Sequence, residues 1–342
     1  MRLGNQKFYK EVVELLNNAR NKVKRSVDSI MTYTYYEVGR RIVEEEQKGE
    51  KHAEYGKQLV ENLSKILTRE FGKGFSFTNL TQMRKFYLIY SKRSILQTVS
   101  EELENNIKIT EIYNFKLSWS HYIFLMRLEE TERSFYEIES DKNNWSLREL
   151  KRQYNTGLYQ RLIINKNKDK IEVLTKKGQI IEKPEDLIKD PYILDFLGLE
   201  ENSLYSESNL EHEVINKLEH FLLELGKGFL FSGRQVRFSF DEKHFYVDLV
   251  FYNRLLKCFV LIDLKIGELK HRDLGQMQMY VNYYDRKIKN EDENKIIGII
   301  LCKDKSETIV EITLPEENTQ IFASKYQLIL PSKEEFKKIM ED

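Results

Sequence analysis

Phe245-Tyr-Val-Asp248-Leu-Val-Phe-Tyr252 and, a short turn later, Val260-Leu-Ile-Asp263-Leu-Lys265-Ile266 read as two buried strands carrying two carboxylates and one ammonium. Desolvating such charges is costly unless they are paired or hold an ion. Side chains alternate across a strand, so Asp263 and Lys265 share one face and Leu264 points to the other. If the two strands are neighbours, Asp248 lies beside Asp263, and two adjacent carboxylates repel unless a cation lies between them. Hard cations with oxygen ligands, Mg²⁺ or Mn²⁺, suit that donor set and would activate a bound water. Lys265 would then orient or deprotonate that water, or stabilise charge developing on a phosphate.

The flanking segments extend the site. Apolar spacing predicts a helix from Asn209 to Leu225, stopped by Gly226. Glu211 lies seven positions before Leu218, a rotation of about 700°, which returns it to within about 20° of the apolar face. A helix predicted at Arg272–Tyr284 carries Gln276 and Tyr280 one turn apart, hence on one face. Strands are predicted at Gln235–Phe240, Ile296–Cys302, Ile309–Thr313 and Gln327–Leu330, with a short closing helix from Ser332. Three successive strands, a crossover helix and a further apolar strand define a mixed α/β sheet.

The first half reads as helical: Phe8 to about Glu46, Ala53–Phe71, and a third helix from near Thr78 after Gly72-Lys-Gly74. That third helix bears Arg84 and Lys85, and helix, short turn, basic helix is the outline of a helix-turn-helix. Further helices are expected at Ser118–Leu128, Glu130–Glu139 and from Ser146 to about Leu162. The last is basic through Arg148, Lys151 and Arg152; Lys92–Glu111 reads as a loop or short helix.

The 342 residues are 41% hydrophobic with no net charge, but the balance is uneven. Residues 1–170 hold 31 Lys and Arg against 23 Asp and Glu, a net of +8, and the remainder carries −8. A basic half suits a polyanion and an acidic half a cation, although solvated surface charge gives the same totals. Cys258 and Cys302 sit in apolar runs as small core residues, which excludes a disulfide framework and a zinc site. No stretch approaches the ~20 apolar residues of a membrane span, and the N-terminus lacks an apolar signal core. The expectation is a cytoplasmic protein without a membrane partner. Its expected domains are a helical, nucleic-acid-binding 1–165, a packing linker 166–208 and a catalytic 209–342.

Asp248, Asp263-Leu-Lys265, helical Glu211 and the Gln276/Tyr280 helix together resemble the PD-(D/E)xK nuclease superfamily in its RecB-like style. Val247 stands where that name places proline. Phe221-Leu-Leu-Glu-Leu-Gly-Lys-Gly-Phe229, Gly233-Arg-Gln235, Gly275-Gln-Met277, Gly72-Lys-Gly-Phe-Ser-Phe-Thr-Asn-Leu80, Leu117-Ser-Trp-Ser-His-Tyr122 and Trp145-Ser-Leu-Arg-Glu-Leu150 resemble the YhcG-type family over nearly the whole chain. The resemblance implies a helical domain followed by a restriction-endonuclease-like nuclease domain. It further implies Mg²⁺ or Mn²⁺ held by Asp248, Asp263 and the backbone carbonyl of Leu264, with Glu211 supporting directly or through water. Lys265 would position water, Gln276 would help hold the site, and Arg84, Lys85, Arg148, Lys151, Arg152 and Tyr280 would contact nucleic acid, most simply DNA. Two alternatives stand beside this: an inactive nuclease fold used as a nucleic-acid-binding scaffold, and an assembly module whose aromatic helices build a homodimer.

Overall fold

We describe the protein from a computed structural model, in which residues 3–48, 53–91, 115–163, 168–199, 205–240 and 242–329 are described. The expected loop or helix at 92–111 and the closing helix from Ser332 lie outside these residues. The chain divides into two compact units, residues 1–151 and 152–342.

The first unit is helical, with α1 (Leu3–Lys48), α2 (Ala53–Phe71), α3 (Phe77–Tyr90), α4 (Trp119–Leu125), α5 (Glu130–Asn143) and the start of α6 (Leu147–Asn155). Glycines 72 and 74 adopt φ of +78° and +122° and end α2, as their lack of a Cβ permits. Ser76 caps α3, its Oγ accepting from the Asn79 amide. The buried face of α3, Leu80, Met83, Phe86 and Tyr90, packs on α1. At the crossing sits Gly39, where a Cβ would fall 2.1 Å from the Met83 carbonyl oxygen. Phe86 centres an aromatic core with Tyr36, Tyr90, Phe115, Trp119 and Tyr122, centroids 4.7–6.0 Å away. Val12, Leu15, Leu16 and Val23, which carry the predicted periodicity of α1, remain exposed.

The second unit continues through α6, α7 (Leu158–Ile163) and α8 (Lys168–Lys177) to the short strand β1 (Tyr192–Ile193). There follow α9 (Glu207–Asn216), α10 (Leu218–Leu225), β2 (Phe229–Phe240), β3 (Lys243–Asn253), β4 (Cys258–Leu264), α11 (His271–Lys287), β5 (Ile297–Cys302), α12 (Glu307–Thr313) and β6 (Ile321–Gln327). The sheet order is β1-β6-β5-β4-β3-β2. β2, β3 and β4 run antiparallel as a meander, and β4, β5, β6 and β1 are parallel neighbours. Parallel β4 and β5 require a crossover, which α11 supplies. Leu210, Val214, Phe221 and Leu225 of α9 and α10 pack on Leu249, Val260, Ile262 and Ile299. Leu274, Met277, Tyr280 and Val281 of α11 pack with Leu261, Ile300 and Ala323. The parallel strands therefore read as continuous apolar runs because both faces are covered.

Five expectations change. Ile309–Thr313 is helical, because the Ser306 hydroxyl caps the Ile309 amide and Ile312 faces solvent, which outweighs β-branched propensity. The last described strand is Ile321–Gln327 instead of Gln327–Leu330. The helix before the meander breaks at Lys217, and the one after Ser146 breaks at Gly157, whose φ is +60°. The segment read as a packing linker contributes strand β1 to the sheet.

Candidate active site

The β3–β4 ladder pairs Leu249 with Ile262 and ends there. At the next step the Leu264 amide donates at 2.9 Å to Asp248 Oδ2, so a carboxylate closes the ladder where a backbone carbonyl would continue it. This places Asp248 beside Asp263, which is 2% exposed. Burial, and then repulsion from Asp248, push the Asp263 carboxyl up to about 7, while Lys265 pulls it down. Lys265 Nζ lies 2.7 Å from Asp263 Oδ2 and 3.7 Å from Glu207. The Asp263–Lys265 contact is a close, charge-assisted ion pair. Burial works against the Lys265 charge, yet Asp263 outweighs it and holds the ammonium above its ordinary value.

Glu211, on α9, reaches the same place. Gln235 Nε2 donates to Glu211 Oε2 at 2.8 Å and to Asp248 Oδ1 at 2.9 Å, so one amide spans two carboxylates. Burial raises the Glu211 carboxyl and Asp248 adds to the rise, with the Gln235 hydrogen bond acting in the opposite sense. Gln235 itself has φ of +46° on β2, just past the bulge between Phe231 and Gly233. Across the sheet, Gln276 donates to the Tyr280 hydroxyl, and Tyr280 feels the charges of Asp263 and Asp248. Sequence reasoning missed Gln235 and Glu207 as site residues. An amide in a strand carries no charge signal, and the Gly233-Arg-Gln235 motif was its only trace.

The expected nucleic-acid contacts divide. Arg148, Lys151 and Lys85 are exposed. Arg84 is ion-paired with Glu46 at 2.7 Å. Arg152 is not a free phosphate contact: it lies 3.7 Å from buried Glu224 and 3.8 Å from Asp195, with its guanidinium over the Phe196 ring. The same Glu224 takes an ion pair from fully buried Arg161 at 2.5 Å, so these basic residues serve the interior of the second unit. Tyr280 is 1% exposed and packs against Phe238, and its hydroxyl accepts from Gln276.

The donors present suit a hard cation: two adjacent carboxylates, one of them buried, and a third held nearby by Gln235. Among the described residues no three His, Cys, Asp or Glu side chains converge on one ion. The fit is that of a two-carboxylate site completed by other oxygens. No described helix is long and apolar enough to cross a membrane.

A helical unit followed by a helix-flanked mixed sheet, with Asp, Asp-x-Lys and a Gln-bearing helix at one end of its central strands, defines a PD-(D/E)xK nuclease-type protein. Residues 185–341 match the YhcG PDDEXK nuclease domain and residues 11–161 the DUF1016 N-terminal domain. The chain is 39% identical over 344 residues to the Escherichia coli (strain K12) protein named "Putative nuclease YhcG", covering 96% of this chain and 91% of that one. It belongs to the YhcG nuclease family. A repair endonuclease from Pyrococcus abyssi is similar over 38% of this chain and 50% of its own, at 19% identity and a TM-score of 0.25. An EndoMS–dsDNA2 complex is similar over 39% and 49%, at 18% identity and a TM-score of 0.28.

Proposed function

We propose that the protein is a divalent-metal-dependent endonuclease that hydrolyses phosphodiester bonds of nucleic acid, with DNA as the expected substrate. The observation that carries this is Asp263, buried between Asp248 and Lys265 with its carboxyl pushed up to about 7. A carboxylate so destabilised is a group waiting for a cation. Asp248 and Asp263 would hold Mg²⁺ or Mn²⁺, with the Leu264 carbonyl as a further ligand and Glu211 in support. The ion, when bound, would lower the pKa of water and offset charge on the phosphate.

The chain's own residues do the rest. The Leu264 amide fixes one oxygen of Asp248, leaving the carboxylate a set direction. Lys265 keeps its proton, because Asp263 holds it above its ordinary value, which suits placing water and countering phosphate charge better than abstracting a proton. Gln235 holds Glu211 and Asp248 at a common distance, and Gln276, braced by Tyr280, lies on the helix above the site. Exposed Lys85, Arg148 and Lys151 would contact phosphates, and cleavage would require no membrane surface.

Purified Asp263→Ala and Lys265→Ala are expected to lose Mg²⁺-dependent cleavage of linear, supercoiled, branched and single-stranded substrates while still binding them. Full activity in either would refute the assignment. A nucleic-acid-binding scaffold with an inactive fold is the second reading, favoured by Gln235 occupying the space between two carboxylates. Asp248-dependent binding of Mn²⁺ would exclude it.

A further inference from the structure

The first unit contains a cavity of about 940 Å³ that the candidate active site does not use. Lys22, Lys24 and Arg25 of α1 and Lys116, just ahead of α4, line it. Asp28 and Asp141 also line it, and Asp141 takes an ion pair from Lys116 at 3.2 Å, so positive charge is still in excess. Ser140 lies in the same wall. It is wholly buried, and its Oγ has no hydrogen-bond partner among the described residues. A buried hydroxyl left unpaired is destabilising, so a polar ligand atom is its natural complement. Ser146, whose Oγ accepts from the Glu149 amide at the start of α6, brings the positive end of a nine-residue helix to the cavity. Trp145 beside it is half-buried and lines the cavity.

We propose that this cavity binds the phosphodiester backbone of a nucleic acid, with an unpaired base against Trp145. Cations, a hydroxyl donor and a helix N-terminus define a phosphate site. An adjacent aromatic ring is the usual platform for an exposed base. That the phosphate belongs to a nucleic acid rests on the nuclease reading; the anion site itself does not.

The test is fluorescence anisotropy of a fluorescein-labelled single-stranded oligonucleotide and its duplex, titrated with the full chain in EDTA at several salt concentrations. Lys22→Ala/Lys24→Ala/Arg25→Ala, all at exposed positions, should keep the parent's circular dichroism and weaken single-strand binding about tenfold or more. The slope of log K on log salt should fall by about 2 as those phosphate contacts go. Trp145→Leu should weaken the single strand more than the duplex and remove most oligonucleotide-induced quenching of tryptophan fluorescence. Unchanged affinity and slope in the triple variant would overturn the site. Displacement of the oligonucleotide by inorganic phosphate at equal phosphate concentration would assign the cavity to free phosphate and overturn the nucleic-acid part. The nuclease reading fails separately, if the parent protein does not cleave with Mg²⁺ or if Asp263→Ala cleaves normally.

Discussion

Asp263 concentrates the chemistry of the second unit in one carboxyl group. Its folded value of about 7 exceeds the ordinary 3.8, so the folded protein binds its proton more tightly than the unfolded chain does. Stability from this group is complete below about pH 4 and is lost as pH rises through about 7. In EDTA, the parent should therefore lose stability relative to Asp263→Asn by up to about 1.4 kcal/mol per pH unit between pH 5 and 7, levelling above. Denaturant melts of both proteins across that range check it; a pH-independent difference would show that Asp263 titrates normally. Asp248, Asp263 and Lys265 were legible in the sequence because charge inside apolar runs is conspicuous. Gln235 was not, since its role depends on the bulge that brings its amide between two carboxylates.

Elements were legible where a single face is buried. α2 appears with the bounds its spacing and Gly72 dictate, and the meander and α11 follow period-2 and period-3.6 patterns. α12 departs from the strand its residues predict: Ile309, Val310 and Ile312 favour strands, while a serine cap and solvent exposure favour a short helix. Contact between elements is equally specific. Gly39→Ala, normally favourable within a helix, should here destabilise the first unit by about 1–3 kcal/mol, because its methyl meets the Met83 carbonyl at 2.1 Å. Thermal melting checks it, and an unchanged midpoint would mean that α1 and α3 separate freely at that crossing.

At the scale of the molecule, the chain pairs a basic helical part with an acidic sheet part. If Asp248 and Asp263 hold a cation, Mn²⁺ at about a hundred times its Kd should stabilise the protein by about 2.7 kcal/mol, or about 5–10 °C for a domain of this size. Asp248→Asn should abolish that shift, and because its amide nitrogen cannot accept the N–H that the second carboxylate oxygen takes from Leu264 or Gln235, the shift is read against the variant's own metal-free midpoint. Differential scanning fluorimetry with and without EDTA distinguishes the outcomes, and an equal shift in the variant would place the ion elsewhere. The helical and mixed-sheet halves, the family, and the candidate Asp248, Asp263 and Lys265 were legible in residue order alone, because periodicity and misplaced charge are local properties of the chain. Folding in three dimensions was needed to show that Gln235 joins Glu211 to Asp248 and that Arg152 and Arg161 face Glu224. It alone also placed Ser140 unpaired in a basic cavity. Each of these depends on the distance between residues far apart in sequence, and burial acts on such distances where composition does not.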